Sequence, residues 1–172
     1  MSLTIEAGTP MQAILDAYPS ARRALFQRYH VGGCNACGFQ PTDTLAEVCR
    51  DHNILDVDEV IAHIQRSDEV DRSMRIEAAA VRSWIEDGSP LRFLDVRMPP
   101  EQAADPVPEA EALDFTNSQS YLELPKDTRI VFLCQDGDRS IDTAAYFVGH
   151  GFTHAFSLLG GVDAWRAASA SH

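Results

Sequence analysis

The sequence is poor in positive charge. Fourteen lysines and arginines stand against 26 aspartates and glutamates, a net charge of −12, and this excess repels both nucleic-acid phosphates and an anionic membrane surface. Neither is an expected partner. Long apolar runs are also missing. Nothing approaches the roughly 18 apolar residues that a bilayer-spanning helix requires, and the first residues lack the basic, apolar and small-residue regions of a secretory signal. A cytoplasmic location is therefore expected. Cysteine is scarce, with four in 172 residues. A reducing compartment keeps such thiols from forming a disulfide framework, which leaves chemistry or metal binding as their use. The remaining composition, 45% hydrophobic and 23% charged, is that of an ordinary globular chain.

Periodicity divides the chain in two. Residues 1–66 read as a small all-helical unit. Thr9 and Pro10 suit a cap and first turn, and Met11, Ile14, Leu15 and Tyr18 follow at helical spacing. Pro19 breaks that helix and starts a second, with Leu25, Phe26 and Tyr29 facing inward. Thr44 with Glu47 forms a capping box for a third, whose inner face is Leu45, Val48, Cys49 and His52; Asp56 with Glu59 repeats the device for a fourth, with Val57, Val60, Ile61 and Ile64 inward. Arg66–Arg72 has almost no apolar content and reads as a solvated joint, placing a linker at 67–73. From 74 to 172 the pattern changes. Strand-type runs at Leu91–Val96, Ile130–Leu133 and His154–Leu158 alternate with helical stretches at Ile76–Ile85, Ser140–Val148 and Val162–Ala168. That alternation predicts an α/β unit with a mostly parallel sheet covered on both faces. Pro99–Glu111, with four prolines and four acidic residues, reads as a loop.

The stretch VFLCQDGDRS, Val131–Ser140, carries the most chemical information. A buried strand ends on Cys134, a turn containing Gly137 follows, and Arg139 and Ser140 open a helix. Peptide N–H groups of a tight loop entering a helix converge on one point, where the helix dipole adds about half a positive charge. A thiolate placed there is stabilised, and an anionic group transferred onto it is held by several donors. Gly137 permits the backbone conformation. Arg139 adds a fixed positive charge, available either to substrate or to a salt bridge, for which Glu101 is a candidate. Asp136 and Asp138 oppose an anionic donor. The bland alternative for Cys134 is a buried thiol without chemistry.

Three separated motifs then agree. Cys134, Gly137, Arg139 and Ser140 spell C-x-x-G-x-R-S, Leu94–Arg97 reads L-D-V-R, and Leu159–Trp165 reads LGGVDAW. Together they resemble the rhodanese-like sulfurtransferases. The resemblance implies a parallel five-stranded sheet flanked by helices, and a ping-pong reaction in which Cys134 is the nucleophile and carries sulfur as a persulfide. Gln135, Asp136, Gly137, Asp138 and Arg139 would form the anion-binding loop. Small sulfur donors (persulfide, polysulfide, thiosulfate) and thiol acceptors would be the partners, with no cofactor required. The six-residue loop Cys134–Arg139 fits the sulfur-transfer family, since related phosphatases carry one residue more. The family's usual G-H-I-P-G-A segment is replaced by Ala103–Ala112. A different active-site rim is therefore expected there, and the charges of the two loop aspartates favour a protein-bound or low-molecular-weight persulfide over thiosulfate as donor. Asp95 and Arg97 read as structural, and Gly160, Gly161 and Trp165 as turn and packing residues.

The helical unit contains GGCNACG, Gly32–Gly38, in which Cys34 and Cys37 have the spacing of a redox pair or of two metal ligands. With its helix pattern, the unit resembles a small domain described as the hybrid-cluster-associated redox-disulfide family. Three uses compete. Cys34 and Cys37 are a dithiol accepting sulfur from Cys134; or, with Cys49 and His30 or His52, they bind zinc or an iron–sulfur cluster; or they are a structural pair. Cys49 also reads as a core residue, His52 as a helix-end dipole contact, and His150 and His154 as surface or packing residues. The rival to a sulfurtransferase is a non-enzymatic thiol or metal sensor that uses the second unit as a regulatory or interaction module; phosphatase action is a third reading.

Overall fold

A capping box sets the first unit's best-defined helix start. In the computed structural model, which describes residues 3–32 and 38–170, the Glu47 amide donates to Thr44 Oγ1 at 3.3 Å and the Thr44 amide to Glu47 Oε2 at 2.8 Å, opening α3 (Leu45–Asp51). Before it come α1 (Met11–Ala17) and α2 (Ala21–Tyr29), and after it α4 (Val57–Met74). Their apolar stripes meet in one core built on Met11, Ile14, Leu25, Leu45, Val48, Val60 and Ile64. Phe26 departs from expectation. It is 46% exposed and sets its ring edge-on to His30, because α2 turns Ala21, Ala24 and Leu25 to the core instead.

The segment expected to be a solvated joint is helical. α4 runs through Arg66–Arg72 without a break, and Asp68 and Asp71 are buried. Their charges are answered: Asp68 accepts from Arg72 Nε at 2.7 Å and from Ser20 Oγ at 3.4 Å, and Asp71 pairs with Arg23. Buried carboxylates require such partners, so charge here marks a helix face packed on α2. The chain divides into compact units at Ser73/Met74.

The second unit contains β1 (Arg75–Ile76), α5 (Ala78–Glu86), β2 (Arg92–Asp95), α6 (Pro99–Ala104), β3 (Glu111–Ala112), α7 (Ser118–Leu122), β4 (Ile130–Leu133), α8 (Asp138–Gly149), β5 (Ala155–Leu158) and α9 (Gly161–Ala170). The sheet order is β1-β5-β4-β2-β3, and every pairing is parallel. Two expectations are corrected. Ile76 belongs to a strand, with the helix starting at Ala78, and Pro99–Glu111 holds a helix whose first two positions are prolines, where a missing amide costs nothing.

Alternation along β4 decides what faces where. Ile130 and Phe132 pack with Ile141, Ala144 and Phe147 of α8; Val131 and Leu133 pack with Val81 of α5 and with Val162 and Trp165 of α9. Aromatic pairs pin both layers, Phe132 on Phe147 at 4.9 Å and Phe93 on Trp165 at 4.8 Å. Among the described residues, no helix is long and apolar enough to cross a membrane.

Candidate active site

Cys134 is the next residue after β4, and the two-residue period turns it to the α8 side, with Ile130 and Phe132. Its side chain is fully buried, yet its tip meets polar groups. The Gly137 amide donates to Sγ at 3.1 Å and the Ser140 amide at 3.3 Å. Ser140 Oγ stands 3.3 Å away, and Asp136 Oδ1 lies 3.6 Å away as an acceptor for the thiol proton. These amides belong to the start of α8, where the helix dipole points its positive end at the sulfur.

Backbone constraints hold the loop in this shape. Gly137 has φ 95°, and a Cβ on it would lie 3.0 Å from the Leu158 carbonyl oxygen and 3.3 Å from the Gly160 nitrogen, so glycine is required twice over. From the next layer, the Val162 amide at the start of α9 donates to the carbonyls of Cys134 (3.0 Å) and Gln135 (3.1 Å). Gly160 and Gly161 therefore do more than turn the chain: they bring α9 against the loop. Ser157 of β5 completes the support. Its Oγ lies 2.8 Å from Ser140 Oγ and donates to the Gly137 carbonyl at 3.2 Å.

The expected loop residues come together but do not act alike. Gly137 contributes its amide to the sulfur. The Asp138 amide is instead taken by Asp136 Oδ1 at 3.0 Å. Arg139 forms a bidentate pair with Glu101 of α6, at 2.6 and 2.9 Å. That pair and the Met98 amide hold the Glu101 carboxyl down to about 2. Because this folded-state value is depressed, the pairing is fully present above the ordinary carboxylate range and is lost only as pH falls through about 2. At neutral pH the Arg139 charge is answered. Gln135 Oε1 is 3.5 Å from Arg97 Nη1. Arg97, fully buried, is held by Asp95 through Nε (3.0 Å) and Nη2 (2.7 Å) and also donates to the Asp105 carbonyl at 2.9 Å.

Cys34 and Cys37 lie outside the described residues. Cys49 is buried in the helical core, and burial pushes its thiol up, the opposite of what a thiolate ligand needs. His30 is exposed at the left-handed end of α2, and His52 holds the Val48 carbonyl through Nδ1 at 2.9 Å. Among the described residues, no group of three His, Cys, Asp or Glu side chains could hold a metal ion. His150 closes α8 on the Tyr146 carbonyl at 2.7 Å. His154 lines a cavity of about 690 Å³ with Arg92 and Arg129, at the strand ends remote from Cys134 and with no thiol in its wall. Ser157 escaped the sequence reading, although one polar residue at an inward position of the strand His154–Leu158 was a usable signal.

Comparison with known proteins agrees with this geometry. The sequence profile of the rhodanese-like domain matches residues 77–168, more than half of the chain. A sulfurtransferase from Allochromatium vinosum is 30% identical over 91 residues, covering 52% of this chain and 85% of that protein. The thiosulfate sulfurtransferase GlpE from Pseudomonas syringae is 32% identical over 93 residues, covering 54% and 86%. A solved human single-domain sulfurtransferase aligns at 23% identity with a TM-score of 0.47, covering 55% of this chain and 96% of that one. Residues 1–76 lie outside the profile match. Profile, motifs and sheet order converge, and the chain belongs to the rhodanese-like domain family.

Proposed function

We propose that this protein is a sulfurtransferase that carries sulfane sulfur as a persulfide on Cys134. The observation that carries the reading is the pair of amides from Gly137 and Ser140 that meet Sγ at 3.1 and 3.3 Å. They favour negative sulfur at this position without a separate base, and the same donors suit the outer sulfur of a persulfide. In the first half-reaction the Cys134 thiolate attacks the outer sulfur of a donor persulfide. The donor S–S bond breaks, a Cys134 S–S bond forms, and the donor leaves as a thiol. In the second, an acceptor thiolate takes that sulfur and Cys134 is restored. Oxidation states balance across the exchange, so no external oxidant is needed.

Asp136 supports a persulfide donor over thiosulfate. Its carboxylate sits 3.6 Å from Sγ and occupies the Asp138 amide. A dianionic donor would meet a like charge on approach, whereas a persulfide reacting in its protonated S–SH form presents an uncharged sulfur to the loop. Asp136→Asn keeps an acceptor for the Asp138 amide while removing the charge. It is expected to raise kcat/KM for thiosulfate about tenfold and to change the value for glutathione persulfide by less than about twofold. Equal changes for both donors would remove Asp136 as the discriminating group.

The reading extends to Cys34 and Cys37 as a dithiol acceptor. One thiol takes the sulfane sulfur as a persulfide, the second thiolate attacks the inner, cysteine sulfur of that persulfide, and a disulfide forms as the outer sulfur leaves as sulfide; the dithiol is oxidised and the sulfane sulfur reduced. Regeneration then needs an external thiol reductant. The test is one set of samples. Polysulfide-treated protein, weighed intact, is expected to gain the mass of one sulfur atom at Cys134, and Cys134→Ser is expected not to. Sulfide release without added thiol is expected to fall in Cys34→Ser and Cys37→Ser. An adduct that survives in Cys134→Ser sinks the main assignment; unchanged sulfide release sinks only the dithiol step.

A further inference from the structure

Ser140 and Ser157 are both completely buried, and their hydroxyls meet at 2.8 Å. Each hydroxyl has one proton to give. Ser157 spends its proton on the Gly137 carbonyl at 3.2 Å, a group that can only accept. The proton in the 2.8 Å contact must then come from Ser140. That leaves Ser140 with a lone pair toward Cys134 Sγ at 3.3 Å, and the contact is a hydrogen bond only when the sulfur carries its proton. The order in the resting thiol is therefore Ser140 to Ser157 and Ser157 to the Gly137 carbonyl, with the Cys134 S–H facing two acceptors, Ser140 Oγ at 3.3 Å and Asp136 Oδ1 at 3.6 Å.

Negative sulfur reverses the chain. Ser140 must then turn its proton to Sγ, and Ser157 must turn toward Ser140 to avoid two lone pairs facing each other. The Gly137 carbonyl gives up the Ser157 proton but, as the residue preceding α8, still opens that helix's backbone ladder. The price of reversal is one hydrogen bond to the loop.

We propose that Ser157 is a positioning residue that sets the direction of the Ser140 hydroxyl, holding it as an acceptor for the Cys134 thiol and releasing it as a donor when the sulfur is negative. Ser157 touches neither the sulfur nor any reacting atom and acts only through Ser140 and the Gly137 carbonyl. The inference rests on Cys134 being the reactive sulfur. The charged groups around that sulfur are Asp136, Asp138 and Arg139 on its loop, Glu101 from α6 paired with Arg139, Arg97 with Asp95 at the end of β2, and Arg75 from β1. Serine substitutions alter none of them.

This order makes the two serines oppose each other. Removing Ser140 deletes a donor to the thiolate and disfavours ionisation. Removing Ser157 deletes the group that holds the Ser140 proton away from sulfur, so Ser140 donates to Sγ throughout and ionisation is favoured. Loosening of the loop alone would move both variants the same way. The readout is the pH midpoint of Cys134 alkylation by iodoacetamide in the full chain, followed by peptide-resolved mass spectrometry to separate it from the other cysteines. Relative to the parent, Ser157→Ala is expected to lower the midpoint and Ser140→Ala to raise it, each by about half a unit to one unit, with Ser157→Thr near the parent value. Should Ser157→Ala not fold, Ser157→Cys keeps the side-chain size with a weaker partner and is expected to move the midpoint down by a smaller amount. Shifts in one direction for both serines, or no shift at Ser157, overturn the proposal. Alkylation needs no sulfur donor, so failure of the sulfurtransferase reading shows separately, as absence of the polysulfide adduct on Cys134.

Discussion

Gly161→Ala is expected to lower the stability of the protein by about 3–5 kcal/mol and to slow persulfide formation about a hundredfold. Gly161 has φ 59°, and a Cβ built on it stands 2.5 Å from the carbonyl carbon of Gln135 and closer still to the carbonyl oxygens of Cys134 and Gln135. These are backbone atoms of the sulfur-binding loop and cannot rotate away as a flexible side chain would. Either α9 retreats, giving up the Val162 amide bonds to the same two carbonyls, or the loop shifts and the Gly137 amide leaves Sγ. Denaturant unfolding measures the first effect and single-turnover sulfur loading the second. Gly149→Ala is the control. It sits in α8 with nothing within 4 Å of a new Cβ, so it should be neutral or slightly stabilising. A Gly161→Ala protein with parental midpoint and loading rate would contradict the geometry.

Arg97→Met is expected to cost about 3–5 kcal/mol, because it leaves the Asp95 carboxylate buried beside only a backbone amide. Asp95 has 5% side-chain exposure and Arg97 none, and three side-chain hydrogen bonds join them. Asp95→Leu alone is expected to cost a similar amount, since it strands the guanidinium. The double variant removes both charges and is expected to lose less than either single one, a coupling that a thermodynamic cycle of the four proteins measures. Additive losses would mean that the pair is not the unit of stability here. Arg97 also reaches Gln135 and the Asp105 carbonyl, so sulfur loading should slow in Arg97→Met even where the protein remains folded.

Elements with a long physical signature were legible. β4 shows as an unbroken apolar run because a central parallel strand is buried on both faces, and the capping box of α3 shows because its two residues are neighbours in sequence. The edges were not. β1 and β3 have two residues each, too few for any alternation, and each is defined by its partner strand. α6 was hidden by its own prolines, which mark a helix start as readily as a loop. The end of α4 was hidden because the partners of Asp68 and Asp71, Ser20 and Arg23, lie 48 residues away. At the site, Cys134, Gly137, Arg139 and Ser140 were readable as a motif, and Glu101 was the candidate partner for Arg139. Two features went unread. Which amides reach the sulfur depends on where Asp136 folds, and Ser157 enters from another strand.

The clamp on the loop has a consequence for biosynthesis. A ribosome delivers Cys134 about 23 residues before Ser157 and about 28 before Val162, a lag of a few seconds at typical elongation rates. During that interval the nascent chain displays the full loop motif without the strand and helix that shape it. Its thiol should then resemble that of any unfolded cysteine, and distinctive reactivity should begin only once the residues that grip the loop have been made.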